Sequence, residues 1–309
     1  MKNDFLFVIL NFLFKYSMNS IAMEKASIIK ENKLVSEEKW FENIDSLKTE
    51  GKATKAELKK ALVEAVESRI TNKKFGIMFS GGIDSSLIAF ICKKAKADFI
   101  CYAVGIENAA DIEAAKKAAD LLKINLKFKI FSLDESEKII KEVVKIVGPD
   151  VMKVGVGAVV YAAAQLGKKD NIDVFFSGLG SEELFAGYER HISAKDVNKE
   201  CWKGLKSMYA RDFLRDYSIA KHLKINILTP FLDQDLIKTA MQIPGKEKLN
   251  KEYKKLILRK IAEELGLPKE IAWRKKKAAQ YGSRFDKAIY KLARKNGFEY
   301  KKDYLKSLI

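Results

Sequence analysis

Phe75-Gly76-Ile77-Met78-Phe79-Ser80-Gly81-Gly82-Ile83-Asp84-Ser85-Ser86 decides the fold. Phe75 to Phe79 is a short apolar run suited to a buried strand, and Ser80-Gly81-Gly82 ends it. From Asp84 to Lys94 the spacing of Leu87, Ile88, Phe90 and Ile91 predicts a helix. Glycines let a strand-to-helix turn come close to an anion, and serine hydroxyls and the first free helix amides then donate to it. Asp84 cannot donate, so a carboxylate there implies a cation, most simply Mg²⁺ bridging phosphates. The loop lacks the lysine of a Walker A sequence.

Outward from this stretch, strands and helices alternate. Phe99 to Val104, Lys127 to Phe131 and Val174 to Phe176 read as strands; Ile112–Leu122, Asp134–Val147 and Val154–Leu166 read as helices. This pattern means βαβ units: an α/β protein with a Rossmann-like parallel sheet and helices on both faces. Beyond about Glu189 strand signals fade and a helical, basic carboxyl-terminal part is expected. Before the decisive stretch, Leu58, Leu62, Ala65 and Val66 form a helical stripe, and Gly51 divides that region into two helical pieces. The expected organisation is an apolar leader at 1–22, a helical lead-in at 23–72 and one large domain at 73–309.

Hydrophobic residues at 48% and charged residues at 32% fit a globular chain and exclude a fibrous repeat or a multi-span membrane protein. The net charge of +17 suits an anionic partner without saying which. Cys92, Cys101 and Cys201 form no CxxC pair, and His191 and His222 are the only histidines, so neither a disulfide framework nor a Cys/His metal site is expected. Phe5 to Phe14 is almost wholly apolar but about half the length that spans a bilayer. It reads as a leader ahead of a true start at Met18 or Met23, with a partner-binding anchor and an export signal as alternatives. A cytoplasmic location is expected.

The string SGGxDSS at Ser80–Ser86 resembles the signature of the PP-loop ATP pyrophosphatases. That resemblance implies ATP and Mg²⁺ as cofactors, with Ser80, Gly81, Gly82, Asp84, Ser85 and Ser86 around the pyrophosphate. It places adenine near Met78, Val104 and Gly105. A second segment, Ser177-Gly178-Leu179-Gly180-Ser181-Glu182-Glu183-Leu184-Phe185-Ala186-Gly187-Tyr188, is similar to the SGEGSDELFGGY string of the asparagine synthetase family. There Ser177, Gly178 and Gly180 would form a second anion nest, and Glu182 would join Asp84 on the metal. Leu214–Ser218, Thr229–Asp233, Lys255–Arg259, Leu267-Pro268 and Trp273–Lys276 resemble further family strings in the family's order. Lys276 aligns with the lysine that steadies charge on the acyl-adenylate and on departing pyrophosphate. Ala278–Arg284 and Gly187–His191 resemble the asparagine synthetase domain-containing branch.

The resemblance implies an ATP-dependent amide-forming ligase that adenylates a carboxylate, aspartate by default, and releases AMP and pyrophosphate. Position 2 is Lys2 rather than a glutaminase cysteine, so nitrogen is expected from ammonia or from a separate glutaminase subunit. Leu179 replaces a family glutamate and cannot take a proton. Asn226-Ile227-Leu228 replaces a Glu-Ala-Arg string. Tyr188, Glu183 and Asp111 are candidate bases by nearness in sequence. Two other readings stay open: an ATP-binding regulatory or scaffold protein that has lost catalysis, and, less favoured, a tRNA-modifying PP-loop enzyme. Neither a nucleic-acid nor a membrane partner is favoured.

Overall fold

A computed structural model of the chain describes residues 29–30, 33–275 and 278–309. The Phe5–Phe14 stretch with Met18 and Met23 lies outside the described residues, and so does Lys276. Two helices, α1 (Glu37–Ser46) and α2 (Lys55–Glu67), precede the sheet, separated by Gly51 at φ +127°. Then follow β1 (Phe75–Met78), α3 (Ile83–Lys94), β2 (Phe99–Ile106), α4 (Ala110–Leu122), β3 (Leu126–Phe131), α5 (Leu133–Val147), α6 (Val151–Lys168) and β4 (Val174–Phe176). The remainder holds α7 (Ser181–Leu184), α8 (Val197–Met208), a π-helical turn (Tyr209–Phe213), α9 (Leu214–Leu223), β5 (Asn226–Leu228), α10 (Gln234–Gln242), α11 (Leu256–Leu265), α12 (Phe285–Lys295) and α13 (Lys301–Lys306).

Strands β1 to β5 form one parallel sheet in the order β3-β2-β1-β4-β5, and a separate two-stranded antiparallel pair, Ile29–Lys30 with Lys33–Leu34, stands ahead of α1 in the region expected to be wholly helical. Register is fixed by Phe75 beside Phe99, Gly76 beside Phe175 and Cys101 beside Leu126. Both faces of the sheet's centre are covered, so β1, β2 and β4 are apolar throughout, whereas the edge strand β3 alternates Lys127 and Lys129 with apolar residues and leaves Phe128 and Ile130 exposed. On β2, Cys101 and Ala103 enter one core with α2, α3, α4 and α10, while Ile100, Tyr102 and Val104 enter the other with α5, α6, α9 and α12. Phe175 lies in a slot: a Cβ on Gly76 or on Gly167 would stand 2.5 Å from its ring.

β5 departs from the expectation that strands end near residue 189. It is a three-residue edge strand, preceded by Lys224 in the left-handed region and followed by Pro230, and is too short to show any period. The helical character of the carboxyl-terminal part is otherwise as expected. Among the described residues no helix is long and apolar enough to cross a membrane.

Candidate active site

β1 and β4 are neighbours whose connections leave in opposite directions along the sheet, which makes the gap beyond their carboxyl ends the switch point of the fold. Both glycine-rich loops emerge there. After β1, Gly81 turns at φ +63°, and a Cβ on it would lie 2.3 Å from the Ala114 carbonyl oxygen. Only glycine fits that turn. Ser85 Oγ accepts from Ser80 N at 3.2 Å, while Gly82 caps α3 with no side chain of its own. Ser86 is fully buried, and its hydroxyl has no hydrogen-bond partner among the described residues.

After β4, Ser177 Oγ accepts from Leu179 N at 3.3 Å. Gly180 turns at φ +97° against Leu232 of the PFLD string. Gly178 brings the loops together: a Cβ on it would stand 3.0 Å from Asp84 Cβ. Leu179 is half-buried and packs against the core.

The two loops share one charged centre. Lys255 Nζ donates to both oxygens of Asp84 at 2.8 Å, pairs with Glu182 Oε1 at 2.8 Å and donates to Ser181 Oγ at 3.0 Å. Ser181 Oγ also donates to Asp84 Oδ1. Lys255 is 5% exposed. Burial alone would push its pKa down, but Asp84 and Glu182 outweigh that and hold it above the ordinary lysine value. Lys255 begins α11 in the left-handed region at φ +58°, a strained conformation for a lysine. It stood inside a string quoted from the sequence, but a lysine in a chain this rich in them carries no mark of its position.

The remaining residues expected at the site fall into three groups. Met78 and Gly105 lie at the carboxyl ends of β1 and β2, while the Val104 side chain points into the core. The segment around Ser283 covers the end of β2, with Ile106 N donating to Ser283 O at 2.9 Å. Lys276 lies outside the described residues, but its flank is fixed: Arg274 Nη2 donates to Ser80 O at 3.3 Å and stands 4.0 Å from Asp111. Arg259 donates to the carbonyls of Lys254, Ala272 and Arg274, so it acts as a main-chain staple for that segment.

None of the three candidate bases stands free. Glu183 is 1% exposed, and burial pushes its carboxyl up despite a contact with Arg211. Tyr188 donates to Glu183 at 2.9 Å, and burial drives its phenol far above the ordinary range. Asp111 is buried against Gly282 and Arg274. Glu183 continues into a buried chain of charges through Arg211 and Asp212 to Arg215 and Asp216.

Two carboxylates and a hydroxyl meeting at one point are a hard-oxygen donor set of the kind Mg²⁺ takes when phosphates supply the other ligands. Among the described residues no cluster of three or more His, Cys, Asp or Glu could hold a metal unaided. Asp84, Glu182 and Ser181 are oxygen donors of the chemistry that suits such an ion.

The Asparagine synthase family profile matches residues 57–197 and 192–302. A Methanocaldococcus jannaschii protein, named provisionally as a glutamine-hydrolyzing asparagine synthetase, is 35% identical over 79% of this chain and 52% of its own length. Asparagine synthetase B of Escherichia coli is 29% identical over 77% and 46%, and the Gallus gallus asparagine synthetase 31% over 74% and 43%. The chain thus spans about half the length of the curated relatives it matches. Among solved structures, the NMN synthetase of Francisella tularensis aligns with a TM-score of 0.41 at 12% identity, covering 82% of this chain and 93% of that one.

Proposed function

The chain belongs to the asparagine synthase family, and from that premise we propose that it is an ATP-dependent amide-forming ligase. It would adenylate a carboxylate with release of pyrophosphate, then pass the acyl group to ammonia with release of AMP. The observation that supports this best is the meeting of two glycine-rich loops at the switch point, with Asp84 and Glu182 turned to a common centre.

Each residue has a task in that reaction. Backbone amides of Ser80–Gly82 and of Ser177–Gly180, with the Ser85 hydroxyl, would bind phosphate oxygens. Asp84 and Glu182 would hold Mg²⁺, which when bound offsets charge on the phosphates. Charge grows on the leaving pyrophosphate as the α–β bond breaks, and Lys276 would steady it as a fixed cation. Arg259, by holding the main chain at Ala272 and Arg274, would position that lysine. Aspartate is the default acid. Because the chain covers about half of relatives named glutamine-hydrolyzing, the nitrogen donor, ammonia or a glutaminase, is part of the proposal.

Pyrophosphate exchange into ATP, run with Mg²⁺ against a panel of amino acids and other carboxylates, tests the reading. Exchange that depends on one acid is expected, and Asp84→Ala should abolish it. ATP binding without exchange for any acid would favour a second reading, an ATP-binding regulatory protein. Leu179 supports that alternative, since it puts an apolar side chain where the family carries a proton acceptor.

A further inference from the structure

Asp84 and Glu182 come from the first turns of two different helices, α3 and α7, and each lies 2.8 Å from the same ammonium nitrogen. Two carboxylates held this close repel one another unless a cation lies between them, and burial strengthens the repulsion. Lys255 supplies that cation. Gly187 leaves room for its side chain, since a Cβ there would fall 2.6 Å from Lys255 Cε and 1.6 Å from Glu182 Oε2. Ser181 Oγ bridges it to Asp84. The ammonium therefore occupies the point on which the proposed metal ligands converge.

We propose that Lys255 is the resident cation of the ATP-free protein, and that a divalent ion enters the site only together with the nucleotide. This rests on the reading of Asp84 and Glu182 as metal ligands given above. A divalent ion arriving alone would meet two carboxylates already half neutralised, with the Lys255 ammonium standing at the point where both converge, so repulsion from that buried positive charge opposes its entry. Phosphates reverse the balance, because their negative charge accommodates the ammonium and the metal at once. Binding of the two is then mutually dependent, and free metal is ignored.

The test uses Mn²⁺ as probe on the full chain, with binding read by electron paramagnetic resonance and by the shift in melting temperature. Wild type should take up Mn²⁺ in the presence of a non-hydrolysable ATP analogue, and at least about tenfold more weakly without it. Lys255→Gln should gain nucleotide-independent Mn²⁺ binding, about tenfold tighter than wild type or more, with a Mn²⁺-dependent rise in melting temperature that wild type lacks. If Lys255→Gln folds only when Mn²⁺ is added, that too is the expected behaviour, because the metal then replaces the missing ammonium. Equal Mn²⁺ affinity of wild type with and without the analogue would overturn the proposal while leaving the ligase reading intact. So would a folded Lys255→Gln that binds Mn²⁺ no better than wild type. Failure of wild type to bind ATP under any condition would sink the ligase reading and this inference with it.

Discussion

Lys248 is a fully buried lysine whose Nζ, among the described residues, hydrogen-bonds only to the Met241 thioether, at 3.6 Å. Burial pushes its pKa down to about 8, with Cys201 and Asp196 opposing the shift only in part. Nearby His191 is also fully buried, is held neutral with a pKa pushed down to about 4, and its Nε2 has no hydrogen-bond partner among the described residues. Because the folded-state pKa of Lys248 lies below the unfolded value of 10.5, the unfolded chain binds the extra proton between those two values. Stability should therefore rise with pH from about 8 towards 10.5, and the destabilisation is present in full below 8. Lys248→Met should raise the urea midpoint at pH 7 by an amount equivalent to roughly 1–3 kcal/mol and flatten the pH 8–10 slope. Denaturation of both proteins at pH 7 and pH 9.5 checks this; parallel slopes would show that Lys248 is not the source.

At the scale of turns, two glycines differ in what surrounds them. Gly81 has a left-handed φ and faces a main-chain carbonyl that cannot yield, so Gly81→Ala should lose at least ~1–2 kcal/mol of stability along with ATP binding. Gly187 instead faces two side chains, the tip of Glu182, which can swing away, and Cε of the buried Lys255, which must shift with it. Gly187→Ala should stay folded and weaken Mg²⁺-dependent ATP binding by about tenfold, because the displaced carboxylate leaves the metal with one protein ligand. Calorimetry with and without Mg²⁺ separates the two cases. These turns also show what the sequence makes legible. The strand–SGG–helix stretch announces itself, since apolar runs and glycines leave a local pattern, and four of the five strands follow from the same signal. β5 and the Lys255 centre do not, because one is three residues long and the other is assembled by tertiary contacts between residues 84, 181, 182 and 255. The surroundings of the candidate bases are hidden for the same reason: nearness along the chain says nothing of Glu183 being buried in a charge network.

At the scale of the whole molecule, the question is whether residues 23–72 are a separable lead-in. α1 and α2 give Trp40, Ile44, Leu58, Leu62 and Val66 to the core that also holds Phe75, Ile77, Leu87 and Phe231. Trp40 Nε1 donates to Leu205 O at 3.0 Å, which ties α1 to α8. Arg69, 3% exposed, pairs with Asp233 of the PFLD string at 3.1 Å, and Asp233 in turn caps α10. Removing residues 1–72 would strip the cover from one face of β1 and take away the buried arginine's charge partner together with several fully buried side chains. At roughly 1.5–3 kcal/mol for each such side chain, the loss is as large as the 5–15 kcal/mol that keeps a typical domain folded. The shortened chain should therefore be unfolded or aggregated by circular dichroism and light scattering, with no ATP binding. A cooperative unfolding transition at the full-length midpoint would show instead that the lead-in is a separate unit, and that the switch-point loops are held without its support.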